Sequence, residues 1–217
     1  MLRLLGTADA TVGAARLLDE ERLHKAEQIR LLARLAADSG ARRGELVALR
    51  FDDLEGRVLT IERGVSADVL GPTKTGRTRR LTVGRETSEL WRSSAEDWVR
   101  RLPDGTAFGP CLFSPEATHD VRLTAGALGH WFAELARAAE VPGATQHRLR
   151  DSVATFLVGR GELLRAQRRH GHRDPSTTLR NYAHALPLED EAVADDIDEM
   201  LGTSVQSSDR GRSTGTV

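Results

Sequence analysis

Several residue types are scarce in this chain of 217 residues, and each scarcity excludes a class of protein. A single cysteine, Cys111, excludes an internal disulfide framework and fits a reducing compartment, so we expect a cytoplasmic protein. No apolar run approaches membrane-spanning length, and the first residues are too poor in apolar side chains for a signal peptide. With 39% hydrophobic and 29% charged residues, the composition is that of an ordinary soluble globular protein.

Common cofactor motifs are also missing. The chain has no GxxxxGK[ST] loop and no GxGxxG that opens a helix, which argues against nucleotide-driven chemistry. Four histidines, at positions 147, 170, 172 and 184, could suggest a metal site. No cysteine pair or HExxH helix supports one, so we expect neither a metal nor a cofactor.

Lysine and tyrosine are rare enough to draw attention to individual positions. Only two of the 31 basic residues are lysines, and one of them, Lys74, lies in the arginine-rich stretch 71–85. A lysine can release a proton near neutral pH when its surroundings lower its pKa, whereas an arginine effectively cannot. Tyr182 is the single tyrosine.

The charge is unevenly distributed along the chain. Residues 187–217 carry eight acids and two arginines, so residues 1–186 hold 29 bases and 24 acids, a net charge of +5, although the whole chain has −1. Basic surface beside an acidic tail is compatible with nucleic-acid binding, and a solvated charged face is the alternative.

Apolar periodicity predicts a mainly helical protein with a small antiparallel sheet (α+β). Leu149, Val153, Phe156 and Leu157 would be the core side of one helix. Strands are expected at 58–61 and 79–83, with Lys74 at or near the tip of the hairpin that joins them. Helices are expected at 21–38, 41–50, 85–101, 123–140, 145–158 and 162–170.

The stretch 170–184, HGHRDPSTTLRNYAH, has the pattern of a phosphate site. Asp174 and Pro175 are typical of the N-cap and first position of a helix. The free N–H groups and positive dipole of a helix start suit a phosphate. Tyr182 would follow roughly two turns later as a nucleophile, with His172 as a partner on the phosphate. A half-buried tyrosine and a solvated histidine are the alternative.

Four segments occur in a suggestive order: SGARRGEL, PTKTGRTRRLTV, QHRLRDSVAT and HGHRDPSTTLRNYAH. Each is weak by itself, since Arg-x-x-Glu and His-x-x-Arg are frequent by chance. Together, over residues 21–186, they resemble the catalytic domain of the tyrosine recombinases, the phage integrase family. The resemblance implies a set of catalytic residues, with Glu45 in support of the first arginine: Arg42, Lys74, His147, Arg150, His172 and Tyr182.

Two positions depart from the family pattern. Asp151 stands where the family often has histidine, and His170 stands where it usually has leucine. Neither removes a catalytic residue, but Asp151 puts a negative charge beside the expected phosphate site.

The residue types fit the chemistry that the resemblance implies. The guanidinium groups of Arg42 and Arg150 would hold the non-bridging oxygens of a DNA phosphodiester, and His172 would donate a further hydrogen bond. Tyr182 would attack the phosphorus and form a 3′-phosphotyrosyl intermediate, with His147 as candidate base. Lys74 would protonate the departing 5′-hydroxyl.

The resemblance also implies partners. Double-stranded DNA would be the substrate, bound in part by basic residues near the motifs (Arg77, Arg79, Arg148 and Arg173), and the active assembly would be a homotetramer on DNA. The family normally has a core-binding domain ahead of the catalytic domain, and residues 1–20 are too few for one. The alternatives are a truncated or remnant integrase that binds DNA or a partner without recombination, and a purely structural helical protein.

Three regions are expected. Residues 1–20 would be a leader or linker, residues 21–186 the catalytic domain, and residues 187–217 an acidic amphipathic helix followed by a disordered tail. That helix would present Val193, Ile197, Met200 and Leu201 on one face. It would dock either on its own chain or on a neighbouring subunit.

Overall fold

A computed structural model of the chain describes residues 1–171 and, beyond them, residues 174, 176, 180, 182 and 197. The chain divides into two compact units, Met1–Leu186 and Pro187–Val217. In the second unit, Ile197 is helical and exposed. The predictions for His172 and Arg173, and for the other apolar residues of the C-terminal helix, lie outside the described residues.

The core of the first unit surrounds helix α2 (Glu20–Ser39), which the apolar pattern of 21–38 correctly predicted. The Asp19 side chain caps its start by accepting a hydrogen bond from the Arg22 N–H. Its apolar side, which includes Leu31, Leu32 and Leu35, is fully buried. Four other helices pack against α2, so it is the element that holds the others in place: α1 (Leu2–Ala15), α4 (Arg85–Arg101), α5 (Ala125–Ala138) and α6 (Gln146–Val158).

The N-terminal segment differs from the predicted leader. Residues Leu2–Ala15 form helix α1, which packs on α2 and α5. Its buried residues, Leu4, Ala8, Val12 and Ala15, follow one another at about one helical turn. Three of the four are small or β-branched, so the apolar pattern was weak although the face is fully packed.

Two small sheets follow. Strands β1 (Leu54–Glu55), β2 (Val58–Ile61) and β5 (Arg79–Thr82) form an antiparallel sheet in the order β1-β2-β5. Leu59 lies opposite Leu81, and both side chains are buried. The prediction of β2 and β5 is confirmed, because alternation puts one face of this sheet on the core.

The connection between β2 and β5 contains a hairpin that the sequence did not predict. Strands β3 (Arg63–Ser66) and β4 (Val69–Pro72) pair antiparallel, and Ala67 and Asp68 at the tip both have positive φ. Two such residues match a type I′ turn, which usually requires glycine or asparagine. Lys74 therefore lies in the turn after β4 and not at the hairpin tip.

The remaining helices agree with the predicted mainly helical fold, with two corrections. The predicted helix over 41–50 is only one turn, α3 (Arg43–Leu46), because the chain then turns away and Arg50 forms a bridge with Cys111. Phe156 is 62% exposed and not on the core side of its helix. The other helices are α4 (Arg85–Arg101), α5 (Ala125–Ala138), α6 (Gln146–Val158) and α7 (Leu163–His170). Across the part of the chain that the structure describes, no helix has the length and apolar character needed to cross a membrane.

Candidate active site

The buried carboxylate of Glu45 accepts hydrogen bonds from two arginines, Arg42 and Arg79. Its Oε1 accepts a hydrogen bond from Arg42 Nη1 at 3.0 Å, and the Arg42 backbone N–H donates to Oε2 at 2.8 Å. Arg79 donates to both oxygens, at 3.0 and 2.6 Å. Burial alone would raise the pKa of the Glu45 carboxyl, but the hydrogen bonds and charges of Arg79 and Arg42 outweigh it and hold that pKa below its usual value. Glu45 is therefore an anion that orients Arg42.

Arg150 is the most deeply buried of the predicted catalytic cations. It lies on α6 with only 3% exposure, and its guanidinium donates to the backbone carbonyls of Gly40 and of His170. Burial lowers the pKa of Arg150 to about 10, with a further contribution from the charge of Arg42, while the charge of Glu45 acts in the opposite direction. The group remains a cation at neutral pH, fixed in one orientation.

His170, one of the two departures from the family pattern, lies next to Arg150. Its ring is fully buried, with Nε2 at 2.9 Å from the Arg150 carbonyl oxygen and Nδ1 at 3.0 Å from that of Ala166. The ring also lies 3.2 Å from the place where a side chain on Gly40 would begin, and Gly40 has φ of +60°. Glycine suits this position because a larger residue would be strained at this φ and its side chain would crowd the His170 ring.

Asp151, the second departure, contacts the predicted nucleophile. The Tyr182 hydroxyl donates a 2.6 Å hydrogen bond to Asp151 Oδ1, and the ring packs with Ala154, Val158 and Ala166. His147 lies one turn before Asp151 on α6, with its Nε2 at 3.7 Å from Asp151 Oδ2. Burial raises the pKa of Tyr182, and the hydrogen bond and charge of Asp151 raise it further against the opposing charge of Arg150.

Four of the predicted catalytic side chains line one cavity of about 910 Å³: Arg42, Lys74, His147 and Arg150. The first turn of α5 and the tip of the β3–β4 hairpin provide other walls. The described lining of this cavity does not include Tyr182. Its hydroxyl is hydrogen-bonded to Asp151, the residue that follows Arg150. The four lining residues come from the residue before α3, the turn after β4, and α6, and span positions 42 to 150 of the sequence.

The predicted DNA-contacting arginines differ in their surroundings. Arg77 and Arg148 are exposed. Arg79 is different, because its side chain is 10% exposed and bonded to Glu45, with Nε also donating to the Arg169 carbonyl at 3.2 Å. Arg169, which the sequence did not single out, donates to Asp38 on α2 and joins α7 to the core. In the described ranges, no three His, Cys, Asp or Glu side chains cluster as a metal site.

Comparisons with known proteins agree with this fold. The profile of the phage integrase family matches residues 14–189, and the chain therefore belongs to that family. A search of curated proteins finds no match.

Solved structures with similar folds include three related proteins. The XerA recombinase aligns with a TM-score of 0.61 at 19% identity, over 91% of this chain and 61% of that one. The Tn1549 transposon integrase in complex with transposon right end DNA aligns with a TM-score of 0.60 at 20% identity, over 89% and 64% of the two chains. The catalytic domain of bacteriophage HP1 integrase aligns with a TM-score of 0.56 at 20% identity, over 94% of both chains. The chain thus spans less than two thirds of the first two proteins and almost all of the third.

Proposed function

We propose that this chain is the catalytic part of a site-specific DNA recombinase that cleaves and rejoins strands through a 3′-phosphotyrosyl intermediate at Tyr182. The observation that carries the proposal is that one cavity is lined by four predicted catalytic residues: Arg42, Lys74, His147 and Arg150. The hydroxyl of Tyr182 is hydrogen-bonded to Asp151, the residue that follows Arg150. Double-stranded DNA is the proposed substrate, in keeping with the DNA-bound Tn1549 integrase of similar fold. A homotetramer on DNA is the proposed assembly.

The two arginines are suited to a phosphodiester because each is already held in place by other contacts. Glu45 fixes the orientation of Arg42, and two backbone carbonyls fix that of Arg150. Guanidinium groups held in this way stabilise the charge that builds up on the non-bridging oxygens as the phosphorus becomes five-coordinate. His172 is proposed to donate a further hydrogen bond there.

Cleavage then exchanges one phosphoester for another. The Tyr182 oxygen gives up its proton to a neighbouring base and forms a bond to phosphorus, the bond from phosphorus to the 5′ oxygen breaks, and Lys74 protonates that oxygen as it leaves. Lys74 lines the same cavity as both arginines, which supports this role. Since the phosphotyrosine retains an ester bond to the DNA, the 5′-hydroxyl of another strand can attack it and rejoin the backbone without a nucleotide.

A second candidate, DNA binding without cleavage, is favoured by the raised pKa of Tyr182, which makes its phenol harder to deprotonate. The two are separated by a trapping experiment. Nicked duplexes with a randomised segment release a short 5′-hydroxyl fragment after cleavage, so a covalent adduct accumulates. Wild-type chain should yield adducts that survive detergent, and Tyr182→Phe should yield none while it still binds DNA. Adducts with the phenylalanine variant would disprove the role of Tyr182, and their absence with the wild type would favour the second candidate.

A further inference from the structure

The proposed reaction requires a group that accepts the phenol proton of Tyr182, and the sequence pointed to His147. The structure has a different group in contact with that hydroxyl. Asp151 Oδ1 accepts the hydrogen bond at 2.6 Å, whereas His147 Nε2 reaches only the other oxygen of the same carboxylate, at 3.7 Å. The three side chains thus form a line in which Asp151 separates the tyrosine from the histidine.

The pKa of the Tyr182 phenol determines whether its proton leaves before the attack on phosphorus or during it. Burial raises the pKa of the phenol, and the hydrogen bond to Asp151 and its charge add to that rise. A phenol is neutral near pH 7 even at its ordinary pKa, and the rise makes a free phenolate rarer still, so the proton has to be transferred during the attack and not before it. As the phenol oxygen gives electron density to phosphorus its proton becomes more acidic, and a carboxylate already in contact is well placed to take it.

On the basis of the function proposed above, we propose that Asp151 is a further catalytic residue, the base that accepts the Tyr182 proton during attack. The Tyr182 O–H bond breaks and its proton passes to Asp151 Oδ1, while the oxygen forms its bond to phosphorus. The bond from phosphorus to the 5′ oxygen breaks, and that oxygen takes a proton from Lys74. In rejoining, a 5′-hydroxyl attacks phosphorus and gives its proton to the now neutral Lys74, the bond from phosphorus to the Tyr182 oxygen breaks, and Asp151 returns its proton to that oxygen.

The fold explains why this residue occupies that position. Successive residues of a helix point in directions about 100° apart, so α6 directs Arg150 to the Gly40 and His170 carbonyls and Asp151 to Tyr182. Tyr182 is held against the same helix by Ala154 and Val158. The Asp151 side chain is 38% exposed, which leaves one side of the carboxylate open toward His147 and water. His147 is accordingly a positioning residue behind Asp151.

The test compares adduct formation by variants on a duplex recovered from the trapping experiment, made with sulfur at the 5′-bridging position. A thiolate leaves without a proton, so the rate reports the attack by Tyr182. Asp151→Asn keeps a hydrogen-bond acceptor but cannot take the proton, and we expect it to slow adduct formation by about 10²–10⁴-fold. Its affinity for DNA, measured by fluorescence anisotropy, should not fall. Asp97→Asn, the same change on the exposed side of α4, is the matched control and should cleave at the wild-type rate.

Chemical rescue distinguishes a base from a structural support. Asp151→Ala should be as slow as Asp151→Asn, and sodium formate should restore part of its rate, whereas sodium chloride at equal concentration should not. A slow Asp151→Ala that formate does not restore would make Asp151 structural and overturn the inference. An Asp151→Asn variant that cleaves as fast as wild type, or faster, would also overturn it and leave the proposed function intact. A wild-type chain that forms no adduct, or an adduct that persists in Tyr182→Phe, would overturn both.

Discussion

Arg79 binds both oxygens of the Glu45 carboxylate, at 3.0 and 2.6 Å, although the two residues are 34 positions apart. The same carboxylate orients Arg42, so β5 and α3 jointly set the position of one of the two arginines that line the cavity. With side-chain exposures of 3% and 10%, this ion pair is largely removed from water. The pair is thus part of the support of the candidate active site.

Replacement of Glu45 by glutamine should destabilise the fold strongly. Arg79 would remain buried without a charged partner, which typically costs about 3–5 kcal/mol of unfolding free energy. Urea unfolding of Glu45→Gln measures this loss. Asp97→Asn, which breaks an exposed pair with Arg100, should change stability by less than about 1 kcal/mol. Equal effects of the two variants would contradict the structural role of Glu45.

The free energy of unfolding should decrease as the pH is lowered from about 6.5 to about 4, because of His119. Its buried ring is stacked on Trp98, and burial lowers its pKa from 6.5 to about 4, so the folded state holds the neutral form. Within this window the unfolded chain binds a proton that the folded chain does not, and at about 1.36 kcal/mol per pH unit the loss is about 3 kcal/mol. Unfolding measured against pH should be flatter for His119→Phe. A wild-type slope retained in His119→Phe would count against the assignment.

Lysine should not replace either arginine of the cavity. A lysine brings one point charge in place of a planar fork, so it cannot hold two phosphate oxygens or keep the fixed contacts of Arg42 and Arg150. We expect Arg42→Lys and Arg150→Lys each to slow adduct formation by about 10²–10³-fold. Arg100→Lys on the exposed face of α4 is the matched control. Full activity of either cavity variant would contradict the proposal that the two arginines hold the non-bridging oxygens of the phosphate.

Lys74→Ala should lose most of its activity on ordinary DNA and regain it on a 5′-bridging sulfur substrate. The departing oxygen needs a proton, while a thiolate does not, so the general acid becomes dispensable with sulfur. The measurement is the ratio of adduct formation rates on the two substrates, in the wild type and the variant. A variant equally slow on both would assign Lys74 to phosphate binding.

The sequence predicted the parts of the fold that depend on local pattern. The apolar stripes of α2 and α4 and the alternation of β2 and β5 were sufficient to locate those elements. Helix α1 was missed because alanines make up half of its buried face and give a weak apolar signal. The β3–β4 hairpin was missed because its turn residues are Ala67 and Asp68. Such turns usually contain glycine or asparagine, and those residues are the signal by which a sequence predicts them.

The features of the candidate site that the sequence did not predict depend on contacts between residues far apart in the chain. Spacing along a helix predicted that Arg42 and Glu45 share a face, but nothing local indicated that Arg79 would join them. Arg79 was predicted to contact DNA, and in the structure its guanidinium is hydrogen-bonded to Glu45. Likewise, Asp151 stood out as a departure from the family, yet its contact with Tyr182 depends on how α6 meets a segment 31 residues later.

The most direct test of the account is the identification of the residue and the DNA end that form the covalent bond. Adducts from the trapping experiment are digested with nuclease and protease, and mass spectrometry locates the nucleotide that remains on the peptide. The account predicts a single modified residue, Tyr182, linked to a 3′-phosphate, with a free 5′-hydroxyl on the released strand. A nucleotide on any other side chain, or a linkage to a 5′-phosphate, would contradict it.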